Sequence, residues 1–321
     1  MSAAPAVRAL PFAAVAVSVA LWSTAYVISA IVLETASPAV LSVLRFAIGL
    51  VVLVPLAARR PGFLRVLRAP RTILLGITGV TGYYSFVNIS LLFTTPGTAS
   101  LANAALPVLT AVFAVVLLRE RLPLRTVIGL VLATAGVVLI AAAGLTVDVG
   151  LLLCLVGLAS YGLYTVLLRR DAQRLTSRGE PGIEPLVLAT GTAIWGTALM
   201  LPWLAVEALS GASSLPSNVP GILALLFLGL VVTAPTMVLY NYGAERLPAA
   251  VSGIATAGIP AIGYALSVAV GEPLDAVKVI GGVVALAGIV VATLAKPSVE
   301  ASAPGALVAE QDDPPGHRDT D

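Results

Sequence analysis

Few side chains in this sequence can do chemistry, and most of those lie inside long apolar runs. Asn88 and Asn241 carry amides, which both donate and accept hydrogen bonds and so suit a neutral or zwitterionic small molecule. They could equally clasp two helices, a role typically contributing about 1 kcal/mol. Asn103 carries the same two readings. Among the aromatics, Trp22 and Tyr26 are four residues apart, as are Tyr84 and Asn88. Tyr161 and Tyr164 are three apart, and Thr256, Pro260 and Tyr264 form a further stripe. These spacings put each set on one helical face. They fit a small-molecule pocket, mostly apolar with a few polar handles. Aromatics also anchor membrane interfaces, and Tyr83, Tyr240 and Tyr242 are read mainly that way. Arg45 is the one basic side chain deep in an apolar run, roughly 10 Å inside Pro38 at about 1.5 Å per residue. It could attract a carboxylate or phosphate. Pairing with Glu34 or with helix-end carbonyls is the structural alternative, and the one preferred here.

Other chemistry is missing. No Asp, Glu or His lies near the centre of an apolar run, Cys154 is the single cysteine, and His317 the single histidine, in a polar tail. A disulfide framework and a cysteine cluster are excluded, and neither a metal nor a cofactor is expected. An intramembrane enzyme would need positioned nucleophiles, acids or ligands, and the set is absent. Proton coupling through a buried acid is not evident, which leaves facilitated diffusion open.

The elements that must position these residues are spanning helices. The chain has 321 residues, 59% hydrophobic and 11% charged, with a net charge of +2. A soluble surface needs more charge than that, whereas a bilayer accepts apolar side chains all round. A span needs roughly 20 mainly apolar residues. Cutting at charges, Pro and Gly gives ten, at 11–33, 38–58, 72–93, 97–118, 125–144, 150–168, 185–207, 220–243, 248–270 and 277–295. The runs do not alternate as barrel strands do. The first, after Arg8, resembles a signal peptide, but an uncleaved first helix is preferred because the run continues to Leu33. With the N-terminus inside, sixteen of the eighteen Lys and Arg residues fall on cytoplasmic loops or ends, as basic residues do. Only Lys278 lies outside, and Arg45 lies within a span. Both termini are therefore placed in the cytoplasm. The Pro-rich, acidic segment 297–321 reads as a disordered tail.

The chain also repeats itself. Ile128, Gly129 and Gly136 in the fifth span match Ile280, Gly281 and Gly288 in the tenth. Glu120 precedes Gly129 by the step that separates Glu272 from Gly281. Asn88 and Pro107 are separated as Asn241 and Pro260 are, Pro38 and Pro185 each open a second span, and Trp22 matches Tyr161. Two units of five spans, an odd number, must enter the membrane from opposite sides. Such inverted repeats let a central site face either side in turn. Pro107 and Pro260 kink their helices by removing a backbone hydrogen bond. Glu120 and Glu272 are read as structural carboxylates complementing the dipoles of the fifth and tenth helices, each beside a cation, Arg121 or Lys278.

The chain resembles the drug/metabolite transporter superfamily, in its EamA type with two repeats. The likeness rests on Leu21-Trp22-Ser23, Arg45-Phe46, and Pro107 through Arg119-Glu120-Arg121-Leu122 to Gly129 and Gly136. In the second half it rests on Pro260, Gly271-Glu272-Pro273-Leu274, Gly281 and Gly288. The resemblance implies an all-α polytopic membrane protein of ten helices with a central cavity. It divides the chain into a cytoplasmic start at 1–10, repeats at 11–144 and 150–295, and the tail at 297–321. The implied function is a secondary transporter in the cell membrane, and many relatives of this type export amino acids or other small metabolites. A permease for another polar metabolite, or a non-transporting sensor or scaffold, is the alternative. The expected partners are a small-molecule substrate and the lipid bilayer, with no nucleic acid, the chain acting as monomer or homodimer.

Overall fold

The computed structural model describes residues 5–143, 148–244 and 255–294, except for the side chains at 5–9, 237, 238, 241 and 244. Arg8, the Asn241 side chain, Arg246, Lys296, His317 and the 297–321 tail thus lie outside the described residues. Among those residues the regular structure is helical, without strands. The helices are α1 (Pro5–Leu33), α2 (Pro38–Ala58), α3 (Pro70–Ser90), α4 (Pro96–Leu118), α5 (Leu124–Ala142), α6 (Val149–Ser177) and α7 (Pro185–Leu209). Next comes α8, running from Val219–Phe227 through Leu228–Thr233 to Ala234–Ala244, then α9 (Gly258–Ala269) and α10 (Ala276–Thr293). Among the described residues nine helices are long and apolar enough to cross a membrane, and α9 is a shorter apolar helix.

Helix starts follow from local chemistry. Pro38, Pro70, Pro96 and Pro185 stand at first helical positions, where the missing N–H has no intrahelical partner to lose. Asp148, Asn218 and Asp275 each accept from backbone N–H groups of the helix that follows. The sequence placed the end of the sixth span at 168. Instead α6 continues to Ser177, because Arg, Leu, Ala and Gln are good helix formers even above the membrane. A five-residue helix, Phe63–Leu67, lies in the loop before α3.

Large apolar side chains remain exposed over the bundle, Val51, Val116, Val131 and Val283 among them. A surface of this kind is compatible with lipid and not with water. Inside, neighbours recur in pairs. α1 packs on α8 as α6 does on α3, α1 on α9 as α6 on α4, and α2 on α8 as α7 on α3. Helices holding equivalent places in the two repeats also pack on one another: α2 on α7, α4 on α9, and above all α5 on α10. These three pairs run antiparallel. A Cβ on Gly129 would sit 2.5 Å from Gly288 O, and one on Gly136 would sit 2.5 Å from Gly281 O. Small residues let the two backbones touch there.

The two prolines read as kinks stand near helix starts. In α4 a 3-10 turn, Asn103–Ala105, precedes the α-helical stretch that holds Pro107. Pro260 likewise stands in the first turn of α9. Pro107 is the second residue of its stretch and Pro260 the third of α9, first-turn positions where a missing N–H leaves no intrahelical bond unmade. The sequence did not suggest the π-helical segments at Ile77–Gly82 in α3 and Leu228–Thr233 in α8. Such segments loosen the regular ladder, and hydroxyls take up freed carbonyls: Ser160 donates to Thr78 O at 2.8 Å, and Thr233 to Leu228 O at 2.7 Å.

Candidate functional site

Tyrosines from four helices converge in the middle of the bundle. The π-helical segment of α3 delivers Tyr83 and Tyr84 side by side, with ring centroids 4.7 Å apart. Gly79 and Gly82 open this face of α3, since Cβ atoms there would overlap Tyr164 and Ser160 of α6. Tyr83 lies 5.0 Å from Tyr161, and Tyr161 lies 5.3 Å from Tyr164, both on α6. From α1, the Tyr26 hydroxyl reaches the Tyr83 hydroxyl at 3.4 Å. Tyr84 meets Phe46 of α2 edge-on at 4.6 Å. Trp22 of α1 pairs with Tyr240 of α8 at 4.9 Å. Tyr26 is buried, whereas Trp22, Tyr83, Tyr84, Tyr161, Tyr164 and Tyr240 are only half-buried. These rings keep part of their surface accessible within the bundle, and ring faces and hydroxyls are groups that suit a small molecule.

Arg45 stands at one edge of this cluster. It is 4% exposed, its Cζ lies 4.8 Å over the Tyr84 ring, and its Nε donates to Thr233 Oγ1 of α8 at 3.0 Å. The expected ion pair is not formed: among the described residues no carboxylate lies within salt-bridge distance of Arg45. Glu34 is exposed and stands just past the end of α1.

Of the residues singled out from sequence, Trp22, Tyr26, Tyr84, Tyr161, Tyr164 and Arg45 come together. Asn88 is fully buried and donates to Ser42 Oγ of α2 at 2.8 Å, which is the clasp among its two readings. Asn103 is half-buried in the 3-10 turn of α4. Tyr264 is placed elsewhere: it is buried at the α9–α10 corner, where its hydroxyl accepts from Asp275 N at 3.0 Å. Tyr83 and Tyr240, read from the sequence mainly as interface anchors, also stand in this cluster. The adjacent pair Tyr83-Tyr84, directly after Gly76, Gly79 and Gly82, was the available signal.

The two motif carboxylates also differ from expectation. Glu120 pairs with Arg169 of α6 at 3.0 Å rather than with Arg121. Glu272 does pair with Lys278 at 3.2 Å, but it serves the start of α4 and not that of α10, which Asp275 caps. Gly271 turns the chain at φ 113°, and the carboxylate then accepts from Gly97 N at 2.9 Å, from Thr95 and from Ser267. Burial alone would raise the Glu272 pKa; hydrogen bonds from Ser267, Thr95, Gly97 and Lys278 outweigh it and hold the carboxyl below its ordinary value.

A concavity of about 610 Å3 runs between α4 and α5. Its walls are Val112, Val116, Leu130, Val131 and similar residues. Its one hydroxyl, that of Thr134, donates to Leu130 O of its own helix. It is an outward-facing apolar groove suited to acyl chains, without the polar handles a metabolite needs. Among the described residues no group of His, Cys, Asp and Glu could hold a metal ion.

The chain is similar over nearly its whole length to proteins named as transporters. It is 29% identical over 306 residues to the uncharacterized transporter YetK of Bacillus subtilis, covering 90% of this chain and 88% of that protein. It is 28% identical over 303 residues to a probable terminal-alkyne amino-acid exporter of Streptantibioticus cattleyicolor, covering 91% and 97%. A solved crystal structure, 25% identical, superposes with a TM-score of 0.65 over 92% of this chain and 100% of its own. The profile of the EamA-like transporter family matches twice, at residues 10–142 and 148–294. These limits enclose the two sets of helices whose neighbours correspond, and the chain belongs to the EamA-like transporter family, as a multi-pass membrane transporter and not an enzyme.

Proposed function

We propose that this protein is a secondary transporter of the cell membrane that exports small metabolites such as amino acids. Ten spans, with both termini in the cytoplasm, form two inverted repeats that open a shared chamber to each side in turn. The observation that carries the reading is the ring cluster itself. Its members come from α1, α2 and α3 of one repeat and α6 and α8 of the other, so any rocking of one repeat on the other reshapes it. Antiparallel packing of α2 on α7, α4 on α9 and α5 on α10 supports the inversion, since copies pointing the same way would pair their equivalent helices in parallel. The name of the Streptantibioticus relative supports both export and an amino-acid cargo. No Asp or Glu is buried at mid-span among the described residues, which favours a carrier that does not exchange protons at a buried acid.

Proteoliposomes loaded with radiolabelled amino acids provide the test. Efflux should exceed that of empty liposomes, and Tyr161→Ala should reduce it about tenfold while the protein stays folded. Flux no greater than in protein-free vesicles for the whole amino-acid set would remove the cargo assignment.

A further inference from the structure

Among the described residues no carboxylate pairs with the charge of Arg45. Arg45 lies seven residues inside the start of α2 at Pro38, and is 4% exposed. Both of its contacts are neutral: the Tyr84 ring face at 4.8 Å and the Thr233 hydroxyl at 3.0 Å. The Thr233 hydroxyl proton is committed to Leu228 O, the carbonyl of the π-helical segment in α8. Its oxygen is thereby turned to accept from Arg45 Nε, and the guanidinium is held in one orientation from two sides.

The remaining donors are free. Among the described residues neither Nη1 nor Nη2 has a hydrogen-bond partner, yet neither belongs to the buried unpaired atoms, which are Ser37 Oγ, Arg71 Nε and Glu207 Oε2. The two terminal nitrogens thus each keep some accessible surface inside the bundle. A guanidinium offers parallel N–H groups that match a carboxylate in a bidentate pair. An unpaired cation at this depth in a membrane protein is costly and is a mark of function.

We propose that Arg45 is the carboxylate-binding point of the chamber, so that the cargo bears a single carboxylate. The proposal rests on the transporter reading above and narrows its substrate class. One cation argues for a monoanionic group, because Arg45 is the sole Lys or Arg at mid-span among the described residues, and a phosphate dianion would call for more positive charge. The other end of the cargo meets Tyr161, Tyr83 and the Trp22–Tyr240 pair, whose faces accept an ammonium or an apolar side chain. A zwitterionic amino acid with an apolar side chain satisfies both ends.

The test uses the purified full chain in detergent, with L-phenylalanine, 3-phenylpropionate and phenethylamine as probes, read by thermal stabilisation and by Kd. Both carboxylates should stabilise the protein, and the amine should not. Arg45→Gln should weaken L-phenylalanine binding at least tenfold, and Arg45→Lys should restore part of the loss as a point charge without the fork. Thr233→Val keeps the charge but frees the guanidinium, and should weaken binding several-fold; it carries the test if Arg45→Gln does not fold. Equal stabilisation by phenethylamine, undiminished binding in the variants, or no response of the wild type to either carboxylate would each overturn the proposal. Carboxylate binding without flux in proteoliposomes would instead leave the site standing and sink the transport mechanism. Amine flux indifferent to Arg45→Gln would do the reverse.

Discussion

Seven residues after Pro38, the second helix of the first repeat carries Arg45; seven residues after Pro185, its counterpart in the second repeat carries Thr192. Arg45 reaches across to Tyr84 and Thr233, whereas the Thr192 hydroxyl turns back to Ala189 O of its own helix at 2.8 Å. The packing around the two positions is nevertheless alike. On α2, Gly49 faces Gly229 and Thr233 in the π-helical segment of α8. On α7, Gly196 faces Gly76 and Val80, where α3 enters its own π-helical segment. The duplicated part is thus the backbone scaffold, held by close glycine contacts that any lining can tolerate. The part that differs is the ring cluster, which among the described residues holds its one cation and most of its tyrosines on α2, α3 and α6.

The largest expected effects fall where the repeats are most alike. Gly136→Leu and Gly288→Leu each push a side chain into the backbone of the facing helix, at Gly281 O or Gly129 O, both 2.5 Å from the added Cβ. Backbone cannot swing aside as a side-chain tip can. Each substitution should cost about 3 kcal/mol or more, and monodisperse protein should disappear from size-exclusion profiles for both. Gly282→Ala on the same helix is the control, because its Cβ would meet only the flexible Leu101 Cδ2, at 3.0 Å. Well-behaved Gly136→Leu alongside collapsed Gly288→Leu would break the equivalence of the two helices.

Next come the two motif carboxylates, equivalent in sequence and unlike in place. The Glu272 side chain is 5% exposed and gathers donors from α4, α9 and α10, whereas Glu120 is 25% exposed and shares a surface pair with Arg169. Glu272→Gln should therefore cost on the order of 2 kcal/mol, through loss of a buried charge partner. Glu120→Gln should cost under about 1 kcal/mol, as exposed pairs do. Because the Glu272 pKa is lowered in the folded protein, its contribution is complete above the unfolded value, near 4.5, and fades as pH falls through the lower folded value. Thermal melts at descending pH should bring wild type and Glu272→Gln together, and a gap that stays constant into strong acid would rule out the carboxylate as its source.

These contrasts also mark how far the sequence could be read. Spans were legible because an apolar run of the right length has one stable form in lipid, and the match of Gly129 and Gly136 to Gly281 and Gly288 pointed at an interface where those residues do meet. The Glu272–Lys278 pair was legible, but the pairing of Glu120 with Arg169 and the service of Glu272 to α4 were not, because loop geometry chooses them: Gly271 turns Glu272 towards α4, past the nearer start of α10. That Tyr83 and Tyr240 join the ring cluster was not legible, since a ring that anchors an interface and a ring that meets others inside a bundle have the same composition and the same helical spacing. The π-helical segments leave no periodic mark that a single sequence would reveal, yet they place Tyr83, Tyr84 and Thr233. Asn88 kept two readings, ligand and clasp, because an amide in a span serves either, and its partner Ser42, one of many serines in the spans, drew no attention.

The smallest expected effect is the sharpest test of the one-sided cluster. Thr192 is 3% exposed, so Thr192→Ala removes a methyl group and a hydroxyl from a packed place. Its hydroxyl bond is local and leaves no partner on another helix stranded, so the loss should stay near 1 kcal/mol. Transport in proteoliposomes should remain within twofold of wild type, because nothing about Thr192 faces the ring cluster as Arg45 does. A drop in flux matching that of Arg45→Gln, in protein of unchanged melting temperature, would mean that both second helices of the repeats touch the cargo. Recognition would then be shared across the pseudo-symmetric axis, and the lone guanidinium would have to be reinterpreted as one of two contact points.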